Sequence, residues 1–576
     1  MKAFFLLIGT SLCLSLIAQG QVTMFEQSQG KKTPSYPEII AWWTGLDQNH
    51  EEISMRPIGL SDSGEPLHLI LLSTSKHFSP EQWEAEGKTV VFINNGIHPG
   101  EPDGIDASML FVRNILQSKK LKEEYRNLVF AIIPVYNVGG AINRNSHSRA
   151  NQNGPEAHGF RGNAQNYDLN RDFIKMDTRN AQSFVEIFQW LKPQLYLETH
   201  VSNGADYQYA LTLLPTQENK LGGASGTWLR EHMLPALFSE MEKKKEVMTP
   251  YVNVWGSTPD KGWTQFVDWP RYSTGYVALQ HTIGFMTETH MLKPYEQRVN
   301  ATLLFMQTLA DFAQANGPKI KALQASDRAA YQKLDSVPIN WTVDKSQSQT
   351  LNFKGYEGRY EPSKVTTGQR LYYDKEKPYT REVSFYNTYI ASNYAVKPRY
   401  FLIPQGWHRV VERLKVNGVQ MQALTQDSTV EVVETRISSF ETYIRPFEGH
   451  YLHYNTQVSE KVKQKTFRKG DWLISLNQPA ARYLMETLSP EAPDSFFNWN
   501  FFDTILQQKE GYSDYVFEDK AEELLKSNSE LKRAFEEKKA GDAAFAADAE
   551  AQLDYIYRNS PHYEEAHMTL PIYQIR

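Results

Sequence analysis

The chain has 576 residues and a formal net charge of −6, and its Lys and Arg are dispersed, which argues against nucleic acid or an acidic membrane surface as a partner. Cys13 is the only cysteine, so no intrachain disulfide can form and stability must come from a core. The length suffices for two or three domains, and aromatics at 12% fit ordinary core and sheet packing before any ligand platform.

Residues 1–20 have the form of a signal peptide. Lys2 opens it, 3–17 is apolar, and Ala18-Gln19-Gly20 is a small-x-small cleavage site. The expected location is secreted or periplasmic, with cleavage after about Gly20. No later run approaches the roughly 20 apolar residues of a membrane helix, so no span is expected in the mature chain. From 21 to 320 the pattern alternates between strands and helices, which indicates a layered α/β domain. Strands are expected at 67–72, 89–93, 128–135 and 195–200, with helices at 104–117, 181–191 and 295–315. A polar loop at 143–168 is long enough to suggest function. Residues 321–345 read as a helical spacer, 346–500 as a β-rich accessory domain with one helix at 405–416, and 501–576 as a helical tail packed on it.

The buried-strand run Val90-Val91-Phe92-Ile93 leads through a turn to His98-Pro99-Gly100-Glu101. A second strand ends on His200 about a hundred residues later. Two imidazoles and one carboxylate suit Zn²⁺, and three protein ligands leave the fourth position open, as a catalytic metal requires. Hydrolysis of an amide with zinc-activated water also needs a base and a cation for the oxyanion. Glu288, in the strand-like run 284–289, offers the base. Asn170 beside Arg171 offers an amide and a guanidinium able to grip a carboxylate.

In these motifs and their order the chain resembles the zinc metallocarboxypeptidases of the carboxypeptidase A type, the funnelins. The shared features are His98-x-x-Glu101, Asp168-x-Asn170-Arg171, the strand-end His200 and the later Glu288. The resemblance covers about half the chain, from near Tyr36 to near Ala315. It implies a three-layer α/β/α domain with a central mixed sheet, one Zn²⁺ held by His98, Glu101 and His200, and Glu288 as general base. Asn170 and Arg171 are implied to bind the free C-terminus of a peptide or protein substrate, and Asp168 to bond a ligating His. Arg149, in Arg149-Ala150-Asn151, is the nearest match to the oxyanion arginine, with Arg144 and Arg161 as rivals. The substrate-capping tyrosine has no aligned motif; Tyr276 is taken for it, with Tyr272 and a substrate-contacting Arg271 beside it. His200 is followed by Val201-Ser202-Asn203, unlike the digestive members, so side-chain preference does not carry over.

Two other functions compete. One is a same-fold amidohydrolase or deacylase acting on cell-wall peptides or N-acyl amino acids. The other is a non-catalytic peptide-binding protein, which the presence of all four central residues disfavours. Glu198 shares a strand face with His200 and is expected to support it rather than ligate. His290 shares the Glu288 face, and His147 and His158 are expected to be solvated. The cluster Trp472, Phe496, Phe497, Trp499, Phe501 and Phe502 reads as a packed seam. The sequence leaves the oligomeric state open.

Overall fold

The computed structural model describes residues 22–576, so the expected signal peptide lies outside the described residues. Strands β3 (Thr89–Asn94) and β4 (Leu128–Ile133) are Val-, Ile- and Phe-rich and buried at every position, as strands covered on both faces must be. With β1 (Ile53–Leu60), β2 (Pro66–Leu72), β5 (Leu195–Ser202), β6 (Leu211–Pro215), β7 (Thr249–Pro250) and β9 (Ile283–His290) they form an eight-stranded sheet. β8 (Trp263–Thr264) lies outside it. The order is β1-β2-β4-β3-β5-β9-β6-β7. β4, β3, β5 and β9 run parallel, while β2 meets β4 and β6 meets β9 antiparallel, so the sheet is mixed.

Helices α1 (Asp103–Gln117) and α4 (Tyr295–Gln332) pack together on one face. Helices α2 (Arg179–Leu191) and α3 (Ser273–Ala278) cover the other, where Phe92 stacks on Phe184 and Tyr276 meets Phe188 edge-on. This is the expected α/β/α layering. His98 and Glu101 follow β3, and His200 and Glu288 lie near the ends of β5 and β9. Open parallel sheets bind ligands at these carboxyl ends.

The second half is β-rich. β10 (Ser336–Val343) pairs with β13 (Tyr389–Val396), and the hairpin of β11 (Gln349–Pro362) and β12 (Gln369–Tyr386) extends onto β8 of the first half. β14 (Tyr400–Ile403), β15 (Gln422–Ala423), β16 (Ser428–Thr442), β17 (His453–Phe467), β18 (Trp472–Ser475) and β19 (Tyr573–Ile575) form a six-stranded sheet. Helix α5 (His408–Val416) packs against α2 of the first half. One apolar core runs through both halves, from Trp43 and Phe92 to Leu414, Tyr483 and Trp499. The tail helices between 514 and 558 hold a small core of their own around Phe517, Phe535 and Tyr557. Among the described residues no helix is long and apolar enough to cross a membrane.

Two elements differ from the sequence reading. The helix expected to end at 315 runs on to Gln332 through Gly317-Pro318, because Ile320, Leu323 and Gln324 find buried partners beyond the break signal. The expected 321–345 spacer is therefore the end of α4 followed by β10. The tail also does not stay helical: its last residues form β19, between β14 and β16.

Candidate active site

Side chains two apart on a strand share a face, and partnered residues of neighbouring parallel strands point the same way. His200 is the Cα partner of Glu288, and Glu198 of Met286, so these four project together. Glu101 reaches them because the start of α1 runs close to β5. A β-carbon at Gly104 would lie 2.0 Å from Thr199 Oγ1, so only glycine permits this approach. The Glu101 carboxylate then accepts the Val201 N–H at 2.9 Å.

His98, Glu101 and His200 are all buried, and their ligand atoms lie within 4.8 Å of one another; no other such group occurs among the described residues. His98 Nδ1 is 3.1 Å from His200 Nδ1 and 3.2 Å from Glu101 Oε1, while His200 Nδ1 is 2.9 Å from Glu101 Oε2. The outer nitrogens face acids. His98 Nε2 donates to Asp168 Oδ1 at 2.9 Å, and His200 Nε2 stands 3.3 Å from Glu198 Oε1. A proton held on each Nε2 leaves both Nδ1 lone pairs turned inward, the tautomer that a metal-ligating imidazole needs. Two imidazole nitrogens and a carboxylate converging without bulk water fit Zn²⁺.

The electrostatics show a tightly coupled cluster of charges, in which binding of a metal cation displaces a proton from His200. Burial raises the Glu101 carboxyl, but the Arg149 guanidinium and both imidazoles reverse this and hold it well below the usual carboxylate range. Burial likewise raises Asp168, and His98 with Arg161 brings it well below. Burial lowers His200, but Glu198 and Glu101 carry it well above the ordinary imidazole value. Glu288 goes the other way. Burial, reinforced by Glu101 and Glu198 and opposed by His200 and Arg161, pushes it up to about 8. A general base is most effective with a pKa near the working pH.

These groups open on a cavity of about 370 Å³, lined by His98, Glu101, His200 and Glu288, by Arg149, Arg161, Asn170 and Arg171, and by Leu214, Tyr251, Trp255, Phe266, Tyr272 and Met286 among others. A second cavity of about 360 Å³ shares Leu214 and Tyr251 with it but is not lined by His98, Glu101, His200 or Glu288. The polar loop 143–168 supplies two of the three arginines that line the cavity, Arg149 and Arg161. Arg149 pairs with Glu101. Arg161 is held by Asp168 Oδ2 at Nε (3.1 Å) and Nη2 (2.8 Å), and its Nη1 lies 3.3 Å from His98 Nδ1. Arg144 points elsewhere, to the carbonyls of Thr33 and Pro34. Arg171 stacks over Tyr272 at 4.5 Å, and Asn170 Oδ1 accepts the Ser273 N–H at 3.3 Å.

Tyr276 is a correction. It is fully buried among Phe173, Phe184 and Phe188, and its hydroxyl donates to Asn417 Oδ1 at 2.7 Å, away from the cavity. An apolar face was the missed signal: Tyr276, Val277 and Ala278 continue a core run. Tyr272 and Tyr251 line the cavity instead; Tyr251 follows the two-residue strand β7, which carries no periodic signal. Arg271 is bound to Asp494, and His290 to Asp206. His158 is buried rather than solvated, its Nδ1 beside the Gly159 carbonyl, whereas His147 is exposed. Phe496, Phe497, Trp499 and Phe502 are buried, as a seam requires.

Residues 39–199 match the family described as zinc carboxypeptidase, a stretch that includes His98, Glu101, Asp168, Asn170 and Arg171 and stops one residue before His200. "Carboxypeptidase 2" of Trichophyton equinum and of Trichophyton rubrum are each 21% identical over 458 residues, covering 76% of this chain and 78% of the relative. Among solved structures, a metallo-carboxypeptidase of Pseudomonas aeruginosa is similar at 12% identity and a TM-score of 0.38, covering 50% of this chain and 70% of that one. Carboxypeptidase A of Helicoverpa armigera is similar at 16% identity and a TM-score of 0.36, covering 50% and 74%. The matched segment and the buried His-Glu-His triad fall in the same α/β half, so residues 39–199 are similar to the zinc carboxypeptidase family in the stretch that carries two of the three candidate metal ligands.

Proposed function

We propose that the chain acts outside the cytoplasm and removes the C-terminal residue of a peptide or protein, with Glu288 as general base and one zinc ion held by His98, Glu101 and His200. The observation that carries the reading is the single cavity that gathers the triad, the half-buried Glu288 carboxyl and the Asn170-Arg171 pair. Zinc, when bound, supplies a Lewis acid that acidifies water and polarises a carbonyl. Glu288 takes the proton from the attacking water and returns it to the leaving amine. Asn170 and Arg171 register the substrate by its terminal carboxylate, Arg171 through fork geometry steadied by the Tyr272 ring.

Arg161 is the better-prepared oxyanion donor. Two of its nitrogens are held by Asp168, and the third lies beside the triad, 3.3 Å from His98 Nδ1. Arg149 balances and orients Glu101. Leu214, Met286 and Phe266 give the cavity apolar wall, which favours an apolar or aromatic C-terminal residue. The signal-peptide form of residues 1–20 supports export.

The test is Glu288→Gln, assayed on peptides with free and with amidated C-termini. The variant is expected to keep zinc and to lose about 10²- to 10⁴-fold in kcat. The native chain is expected to cleave the free terminus far faster than the amide. Near-normal turnover in Glu288→Gln removes Glu288 from the mechanism, and equal cleavage of the two peptides removes the carboxypeptidase reading.

A further inference from the structure

Resting on that reading, we propose that Glu448, on a turn of the C-terminal half, is a positioning residue of the active site. Its carboxylate fixes the backbone of Asp168 and so the two side chains that Asp168 braces. Glu448 Oε2 accepts the Asp168 N–H at 2.8 Å across 280 positions of sequence. Asp168 in turn holds His98 Nε2 through Oδ1 and Arg161 through Oδ2, and its Oδ1 also accepts the Asn170 N–H at 2.9 Å. One backbone donor thus locates a metal ligand, the oxyanion arginine and the start of the carboxylate-binding pair.

The turn is built to deliver that carboxylate. Glu448 and Gly449 both have positive φ, +50° and +79°, and the His450 N–H bonds to the Phe447 carbonyl at 3.1 Å, the geometry of a type I′ turn with Glu448 at its tip. A β-carbon at Gly449 would stand 2.7 Å from the Tyr167 hydroxyl, so the turn lies directly against the residue preceding Asp168. Both arms are clamped. Phe447 stacks on Trp499 at 6.1 Å, and His450 Nε2 bonds to Asp177 Oδ2 at 2.6 Å. Arg413 of α5 holds the same loop from a second direction, donating to the Lys175 carbonyl at 2.6 Å. An acidic side chain beside Asp168 costs repulsion, and the charge-assisted bond from the Asp168 N–H offsets it. The C-terminal half is therefore a structural part of the catalytic site and not an appended module.

The test compares Glu448→Ala, Glu448→Asp and Glu448→Gln in the full chain, with zinc affinity by calorimetry, kcat and KM on a free-terminus peptide, and thermal midpoint. Gln keeps an acceptor at the same reach, whereas Ala removes it and Asp is too short by one methylene. Ala and Asp are expected to weaken zinc binding and lower kcat by about tenfold, the size of effect seen when an outer-shell partner is lost. Gln is expected to stay near the native values. Should the alanine chain fail to fold, the Asp and Gln pair carries the same comparison. Native zinc affinity and kcat in Ala or Asp, or a Gln variant as impaired as Ala, overturns the role. A native chain that binds zinc but cleaves no peptide sinks the peptidase reading, and the zinc shift then decides the positioning role alone.

Discussion

Tyr276→Phe separates the core role of this tyrosine from a role against substrate. The change deletes one oxygen. The ring keeps its contacts with Phe173, Phe184 and Phe188, so neither a transfer term nor a cavity term enters. What is lost is the 2.7 Å bond from the hydroxyl to Asn417 Oδ1. Asn417 is 1% exposed, and its Nδ2 still donates to the Arg413 carbonyl at 2.9 Å, so its Oδ1 stays in place and loses the bond from Tyr276. A neutral hydrogen bond is worth about 1 kcal/mol net, and a buried acceptor that loses its donor brings the cost to roughly 2 kcal/mol. Urea unfolding followed by fluorescence and circular dichroism measures this, the two probes testing whether both halves unfold together. The expected result is a loss of about 2 kcal/mol with kcat/KM within about twofold of the native value. A tenfold fall in kcat/KM without loss of stability would refute the argument, because it would place the phenol in the substrate cavity.

Two further outcomes follow from the geometry. Arg161→Ala is expected to lower kcat by about 10²- to 10³-fold, as loss of an oxyanion donor does, and Arg149→Ala by clearly less; steady-state kinetics of both variants on one peptide checks this, and the reverse ranking returns the role to Arg149. Glu218 is buried at the edge of the second cavity, and burial pushes its carboxyl up to about 7 from 4.5, so the folded state keeps a proton that the unfolded state has lost. Its contribution to stability is therefore undiminished below about pH 4.5 and falls as pH rises towards 7, costing about 3 kcal/mol above that. Glu218→Gln is expected to match the native chain near pH 4.5 and exceed it at pH 8, measured by urea unfolding at both; an equal stability difference at the two pH values contradicts the assignment.

The catalytic half was legible where chemistry and periodicity coincide. His98, Glu101, His200 and Glu288 stand on buried strands or their exits, and the pairing of β5 with β9 sets His200 beside Glu288. Tyr276 misled because an aromatic near the right place in sequence looks the same whether its side chain enters a cavity or a core, and only packing of α3 on α2 decides. The choice between Arg149 and Arg161 depended on a long irregular loop whose course has no period to read. Gly317-Pro318 carries a helix-stop signal, yet buried contacts made by Ile320 and Leu323 outweigh it. β19 has three residues, too few to alternate visibly, and Glu448 acts through a backbone bond to a residue 280 positions away. Neither leaves a local trace.

Zinc titration of the metal-free chain, native and with His98→Ala, Glu101→Gln or His200→Ala, tests the convergence of the triad most directly. The native chain is expected to take up one ion, and each substitution to weaken binding by more than the roughly 10- to 100-fold that loss of an outer partner costs. Native affinity retained in any of the three, or no uptake by the native chain, would contradict it.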